Sequence, residues 1–228
     1  MSRTERLDIL FEKWQREYPF NVFMKDGIVS EDKYENVLFI LKDVNNAKPD
    51  DENDMRIDVQ TSNSGGNTWF NVARWTSALL DGMEYSQLLN HISTTHQNSM
   101  HDFQHVQLRR AAIVNLKKEA GGSSVSNDVV NEFAHMHKEQ LWEEIRICSP
   151  KIIIVCGTGI FDGAKAVLGE VTPVEKPRPS FEMAAKWEIG TVCLEGKDIP
   201  IIQFRHPSTG CSAEKSYRDM LKIREYVL

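Results

Sequence analysis

The chain has 228 residues, of which 41% are hydrophobic and 26% charged, and its formal net charge is −6. This composition is ordinary for a globular protein and supplies enough apolar residues for a core without disulfide or metal staples. The acidic balance argues against a broad basic surface for nucleic acid, although it leaves room for a local basic cleft.

The sequence also bears on compartment and cofactors. No apolar run approaches the roughly 20 residues that span a bilayer, and the charged N-terminus lacks the pattern of a signal peptide. The cysteines are widely spread and have no C-x-x-C spacing: Cys148, Cys156, Cys193 and Cys211. We therefore expect free thiols in the reducing cytoplasm, with no membrane contact, no metal or iron–sulfur cluster and no cofactor.

The first half of the chain is rich in helical patterns. Apolar residues at helical spacing predict an opening helix over 4–17, and an unbroken apolar run predicts a buried strand over 37–42. A long polar loop over 47–66 precedes a helix over 67–80, which Asn67 or Thr68 could cap. The histidine-rich stretch 83–110 reads as two short helices.

Two more strands and a long helix are predicted next. A short apolar strand over 111–114 leads to the GGSS turn at 121–124 and a helix over 127–147, with Ser126 as its cap. Pro150 ends that helix, and the run KIIIVCG that follows has the strongest strand pattern in the chain.

The remaining elements complete an alternating pattern. Glycines introduce a helix that ends at Leu168, and a proline-punctuated loop covers 170–182. Strands over 187–194 and 199–204 flank a hairpin turn, and a last helix runs from Ser212 to Val227. This order predicts an α/β fold in a single domain over 1–228, built as a three-layer α/β/α sandwich around a central, mainly parallel four-stranded sheet.

Polar residues follow the ends of the predicted core strands. Asp43 and Asn45 follow the first, Asn115 the second, Gly157-Thr158-Gly159 the third, and His206-Pro207-Ser208 the fourth. Because parallel strands end at one edge of a sheet, these groups should converge where open α/β sheets bind ligands. An acid, an amide and a histidine at that edge suit recognition of a polar ligand and acid–base or electrostatic catalysis.

Each of these residues also has a plain structural reading. Asp43 and Asn45 could cap or turn a loop, Asn115 could close the sheet end, and the His-Pro-Ser run could be only a turn. His101 and His105 stand four residues apart, as metal ligands on a helix can. Because no third ligand has motif spacing, a solvated helix face is the favoured interpretation of that pair.

The ordered set of motifs resembles the uracil-DNA glycosylase superfamily over roughly residues 36–226. The matching stretches are Leu41-Lys42-Asp43-Val44-Asn45, Ile113-Val114-Asn115, the strand from Ser149 to Gly157, and His206-Pro207-Ser208. In this order they correspond to the family's water-positioning motif, base-reading asparagine, apolar strand and C-terminal histidine motif.

The resemblance implies an N-glycosylase that excises uracil or another damaged base from DNA, including single-stranded DNA, in base excision repair. It implies catalytic roles for Asp43, which would orient water and stabilise the sugar cation, and for His206, which would stabilise the departing base. The implied base and nucleotide contacts are Lys42, Asn45, Asn115, Trp69 and Phe70. The implied phosphate contacts are Lys117, Arg205 and Ser208.

Two other functions remain open from the residues alone. Leu41 and Val44 stand where the family has glycine and proline, which would suit a catalytically divergent protein that binds nucleic acid or nucleotides on the same fold. Gly157, Gly159 and Gly163 suggest a dinucleotide-binding enzyme, but the last glycine comes one residue too late for G-x-G-x-x-G and the run does not follow the first strand.

Overall fold

The structure, a computed structural model, describes residues 1–45, 53–61, 66–96, 99–121, 125–176, 178–182, 187–210 and 212–227. Half of the predicted loop 47–66, most of the GGSS turn and Cys211 therefore lie outside the described residues. The described part of that loop contains a short helix over Met55–Thr61 instead of irregular chain.

Seven strands form one sheet in the described chain. They are β1 (Gly27–Ile28), β2 (Val37–Asn45), β3 (Ala111–Gly121), β4 (Ile152–Cys156), β5 (Thr172–Pro173), β6 (Ile189–Leu194) and β7 (Lys197–Phe204). The helices of the described residues are α1 (Arg3–Glu17), α2 (Met55–Thr61), α3 (Asn67–Leu80), α4 (Tyr85–Thr95), α5 (Met100–Leu108), α6 (Asn127–Met136), α7 (Lys138–Cys148), α8 (Phe161–Leu168) and α9 (Ala213–Val227).

The strand order across the sheet is β1-β3-β2-β4-β7-β6-β5. The central strands β3, β2, β4 and β7 are parallel, whereas β1, β6 and β5 pair antiparallel with their neighbours. The α/β class is confirmed, but the prediction of a four-stranded sheet is wrong, because the sheet is larger and mixed. Strands of two residues, such as β1 and β5, are too short to show any sequence period.

Apolar side chains cover both faces of the central strands. Leu38 and Ile40 point to the face covered by α1, α6, α7 and α8, whereas Phe39 points to the face covered by α2, α3, α4, α5 and α9. Phe39 lies in register with Ile113 on one side and Ile154 on the other, and all three are fully buried. Burial on both faces explains why the run shows no alternation.

The central strand β3 is longer than its apolar core. The sequence predicts that it ends before Asn115, but the strand continues to Gly121. The segment before β1 runs alongside this extension: the Met24 N–H donates to the Lys118 carbonyl, and the Ala120 N–H donates to the Val22 carbonyl. Asn115 and Lys117 therefore lie within the strand and not beyond its end.

The predicted helix 127–147 is two helices, α6 and α7, which meet at His137. This residue leaves the helical region with φ −111° and ψ 25°, and its Nδ1 accepts a hydrogen bond of 3.1 Å from the Trp14 indole N–H. Because the acceptor and donor belong to helices far apart in sequence, helical periodicity alone does not reveal the break.

Three ionisable side chains without solvent exposure meet beneath α1. Lys118 donates to Asp26 and, at 2.8 Å, to Glu144, and each of the three is fully buried. We call Asp26, Lys118 and Glu144 the buried charge cluster. Burial raises the pKa of Glu144 well above its usual value, and the nearby Lys118 ammonium opposes that rise.

Candidate anion-binding site at the carboxyl end of the parallel strands

A cavity of about 460 Å³ opens at the carboxyl end of the parallel strands. We call it the edge cavity. Its lining residues come from the ends of β2, β4 and β7, the turn after β4, the start of α6 and the turn after β7: Lys42, Asn127, Cys156, Gly157, Thr158, Gly159, Ile160, Trp187, Arg205, His206, Thr209 and Gly210.

The strand order explains why a cavity forms here. The connection from β2 leads to β3 on one side, and the next connection crosses back over β2 to reach β4 on the other side. The helices of these connections cover opposite faces of the sheet. Open α/β sheets bind ligands in the crevice at such a switch point, beyond the carboxyl ends of the strands.

Glycines shape the wall that follows β4. Gly157 has φ 133°, which only glycine adopts without strain, and its N–H donates to the Phe204 carbonyl at 2.8 Å. At Gly159 an added Cβ would lie 1.8 Å from Nδ2 of Asn127, so the absence of a side chain lets the start of α6 approach. The Asn131 amide fixes this contact by donating to the Gly159 carbonyl at 3.0 Å.

The edge cavity is cationic. Lys42 and Arg205 line it together with His206, and none of its described lining residues is acidic. The Nε–H of Arg205 is buried and has no hydrogen-bond partner among the described residues. Because a buried donor without a partner is costly, this group is suited to an external acceptor.

His206 presents a defined tautomer. Its Nδ1 accepts from the Ser208 N–H at 3.2 Å and lies 2.7 Å from the Ser208 hydroxyl, so the proton of the neutral ring is assigned to Nε2. Burial and the charge of Lys42 lower the pKa of His206. At neutral pH the imidazole is therefore an uncharged donor through Nε2–H.

Asp43 lies beside this cavity in sequence but is not among its described lining residues. It pairs with Lys117 of β3, and successive strand residues point to opposite faces, so Asp43 and Lys42 diverge. Burial raises the pKa of the half-buried Asp43, and the charges of Lys42 and Lys117 oppose that rise.

Asn115 is held away from the edge cavity. It is 1% exposed, and its backbone N–H and side-chain Nδ2 donate to Asp26 Oδ2 at 2.9 and 3.0 Å. The structure therefore does not bring Asn115 together with His206 in this cavity. The physical reason is the continuation of β3, which places Asn115 inside the sheet.

The other predicted contacts are dispersed. Trp69 packs against the core, and the Phe70 ring lies 5.3 Å from the His101 ring in an edge-on contact. The Lys117 ammonium donates to the Glu119 carbonyl, and the Ser208 hydroxyl forms a hydrogen bond with Nδ1 of His206. The side chain of Asn45 lies outside the described residues.

Sequence reasoning missed several lining residues, among them Asn127 and Trp187. The signal for Asn127 was the cap Ser126, whose hydroxyl accepts from the Val129 N–H at 3.3 Å and marks a helix start at this edge. Thr158, which also lines the cavity, was noted only within the glycine run.

The described residues hold no group of three or more His, Cys, Asp or Glu side chains arranged for a metal ion. In the same part of the chain, no helix is long and apolar enough to cross a membrane.

Comparison with known proteins gives little beyond this geometry. No family model matches the chain, and no curated protein matches it. A solved structure that matches is a domain of unknown function (DUF1537) from Bordetella bronchiseptica with bound citrate, at 12% identity and a TM-score of 0.34. The match covers 83% of this chain and 41% of that one.

These comparisons overturn the assignment to the uracil-DNA glycosylase superfamily. Neither a family model nor a curated protein supports that relationship. The assignment is wrong because it depended on short motifs read in order, and chemistry at strand ends recurs on unrelated α/β sheets.

Proposed function

We propose that the protein binds the phosphate of a nucleotide, free or within a DNA strand, in the edge cavity. One observation carries the proposal: Lys42, Arg205 and neutral His206 line the cavity with no acid among its described lining residues. The buried, unpartnered Nε–H of Arg205 adds a donor that a phosphate oxygen can satisfy.

The size and walls of the cavity favour a nucleotide over a bare anion. Its volume of about 460 Å³ lies within the range of pockets that bind small organic ligands. Trp187 contributes an aromatic wall, and Asn127 at the start of α6 contributes a polar residue on the side of the glycine turn. As part of this proposal, the fold is a three-layer α/β/α sandwich, and the site lies at the central switch point of its sheet.

The compartment that suits this proposal is the cytoplasm. Cys148 and Cys156 are buried free thiols, which a reducing environment preserves.

The test is binding of a fluorescein-labelled, single-stranded oligonucleotide, followed by fluorescence anisotropy at increasing salt. We expect the affinity to fall steeply with salt, because phosphate contacts release counterions. Lys42→Met should weaken binding about tenfold, the effect of losing one hydrogen bond to a charged group.

Lys151→Met is the matched control, because Lys151 is exposed at the opposite end of the sheet, just before β4. It should leave the affinity unchanged. Absence of binding at low salt, or equal losses in both variants, would contradict the proposal.

A second candidate is hydrolysis of an N-glycosidic bond in the bound nucleotide. The Nε2–H donor of His206 in the edge cavity favours it. In this reaction water adds to C1′ of the sugar, and the bonding electron pair leaves with the base. Asp43 would stabilise the sugar cation, His206 would donate to the departing anion, and the proton of water would neutralise the base. A base-release assay on uracil-containing DNA tests it.

A further inference from the structure

Arg74 in α3 is an arginine without a counter-ion. Within the described chain, Arg56 contacts Asp8 at 2.7 Å and Arg110 contacts Asp81 at 2.9 Å, whereas no carboxylate lies within 4.0 Å of Arg74. Burial lowers the pKa of Arg74 and only the Tyr85 hydroxyl opposes the change. A partly buried cation without a partner weakens the fold, so its presence calls for a functional explanation.

The contacts of Arg74 leave part of its guanidinium group open. Nη1 donates to the Asn71 side-chain oxygen at 3.2 Å, and Nη2 makes a weak contact of 3.9 Å with the Met100 sulfur. Nε is buried and, like Nε of Arg205, has no partner among the described residues. Each Nη nitrogen carries a second N–H beyond these contacts, and the planar fork of arginine can bind phosphate oxygens through such donors.

Asn71 connects Arg74 to the edge cavity. Its Nδ2 donates to the Pro207 carbonyl at 2.7 Å, directly after His206. Arg205 stands on the other side of the same turn, which the Thr209 N–H closes by donating to the His206 carbonyl at 3.1 Å. The turn 206–209 therefore lies between two arginines whose Nε–H groups have no described partner. Arg205 directly precedes the turn in the sequence, and Arg74 is linked to it through Asn71.

We propose that Arg74 binds a second phosphate, so that the ligand is a nucleic-acid strand whose successive phosphates contact Arg205 and Arg74. This inference rests on the proposed function, because it takes the first phosphate to lie in the edge cavity. The second phosphate site lies on the α3 side of the turn, and the ordered motifs of the sequence gave no indication of it. A mononucleotide fills the first site only.

The experiment compares three unlabelled ligands as competitors of the labelled oligonucleotide. They are a nucleoside 5′-monophosphate, a 5′-phosphorylated dinucleotide and a nucleoside 5′-diphosphate. The wild-type protein should bind the dinucleotide about tenfold more tightly than the monophosphate, the gain from one further charged contact. The proposal places the two phosphates one nucleotide apart, so the diphosphate, whose phosphates share one bridging oxygen, should show no such gain.

Variants separate the two sites. Arg74→Met should abolish the advantage of the dinucleotide while the affinity for the monophosphate stays the same, and Arg74→Lys should retain part of the advantage. The slope of log affinity against log salt for the oligonucleotide should decrease by about 0.7, the value for one single-strand phosphate. Arg109→Met, at an exposed arginine after α5, is the control and should behave as the wild type.

Folding is followed independently by the thermal midpoint. Arg74→Met removes a charge without a counter-ion, but it also removes the donor to the buried Asn71 side-chain oxygen. Arg74→Gln keeps an amide donor for Asn71, so the binding test is repeated with this variant and the midpoints of both variants are compared with that of the wild type.

The inference is overturned if the dinucleotide has no advantage, if the advantage survives both Arg74→Met and Arg74→Gln, or if the diphosphate shares it. Failure of the proposed function gives a different pattern: the monophosphate does not bind, or Lys42→Met leaves its affinity unchanged.

Discussion

Lys118→Met should lower the free energy of unfolding by about 3–5 kcal/mol, the usual cost of removing one partner from a buried ion pair. Lys118 is fully buried and donates to both Asp26 and Glu144. Without the ammonium, Asp26 would remain a buried carboxylate held only by the amide donors of Asn115. Urea denaturation at pH 7, followed by circular dichroism, measures the change.

Two variants control this measurement. Lys13→Met removes a lysine whose side chain is 67% exposed, and it should change the stability by less than about 0.5 kcal/mol. Combining Lys118→Met with Asp26→Asn removes both charges and should recover most of the loss. If Lys118→Met lowers the free energy of unfolding by less than about 1 kcal/mol, the Lys118 ammonium does not stabilise the buried charge cluster by ion pairing.

Asp43→Asn should reduce base release by about 10²- to 10³-fold if the protein hydrolyses N-glycosidic bonds, because it removes the negative charge that stabilises the sugar cation. His206→Ala should cause a loss of about the same size, since it removes the Nε2–H that donates to the departing base. Single-turnover assays on uracil-containing single- and double-stranded oligonucleotides measure both effects.

Asp198→Asn and His135→Ala are the matched controls, because both residues are exposed, one in the β6–β7 hairpin and one in α6. They should retain the wild-type rate. If the wild-type protein releases no base from either substrate, hydrolysis is ruled out and only the binding proposal stands. If the wild-type protein is active and Asp43→Asn is equally active, Asp43 does not stabilise the sugar cation.

Local patterns predicted the framework of the protein well. The helix over 67–80 has the observed bounds of α3, and the histidine-rich stretch contains two short helices, α4 and α5. The four parallel strands were found because each is an apolar run with neighbouring turn residues. These signals are contained within a few residues of sequence, which is why they could be read directly.

The errors came from contacts between distant parts of the chain. The apolar run 111–114 predicted a short strand, yet β3 continues through Lys118, which is buried with Asp26 and Glu144, 92 and 26 residues away in the sequence. The extended β3 then carried Asn115 into the sheet and away from the edge cavity. The hydrophobic period of a short stretch of sequence does not reveal contacts with residues that are distant in the chain.

The site was predictable only in part for the same reason. The rule for strand ends found Lys42, Arg205 and His206, because each follows or ends a strand whose direction was correct. Arg74 gave no signal, since a single arginine on an amphipathic helix normally faces solvent. Its significance depends on the absence of a nearby carboxylate and on the Asn71 contact with Pro207.

The most direct test of the central claim is a crystal structure of the protein with a nucleoside 5′-monophosphate. The account predicts the phosphate in the edge cavity, within hydrogen-bond distance of the Lys42 ammonium, Nε of Arg205 and Nε2 of His206. A phosphate bound elsewhere on the protein, with Lys42 and Arg205 making no contact to it, would contradict the account.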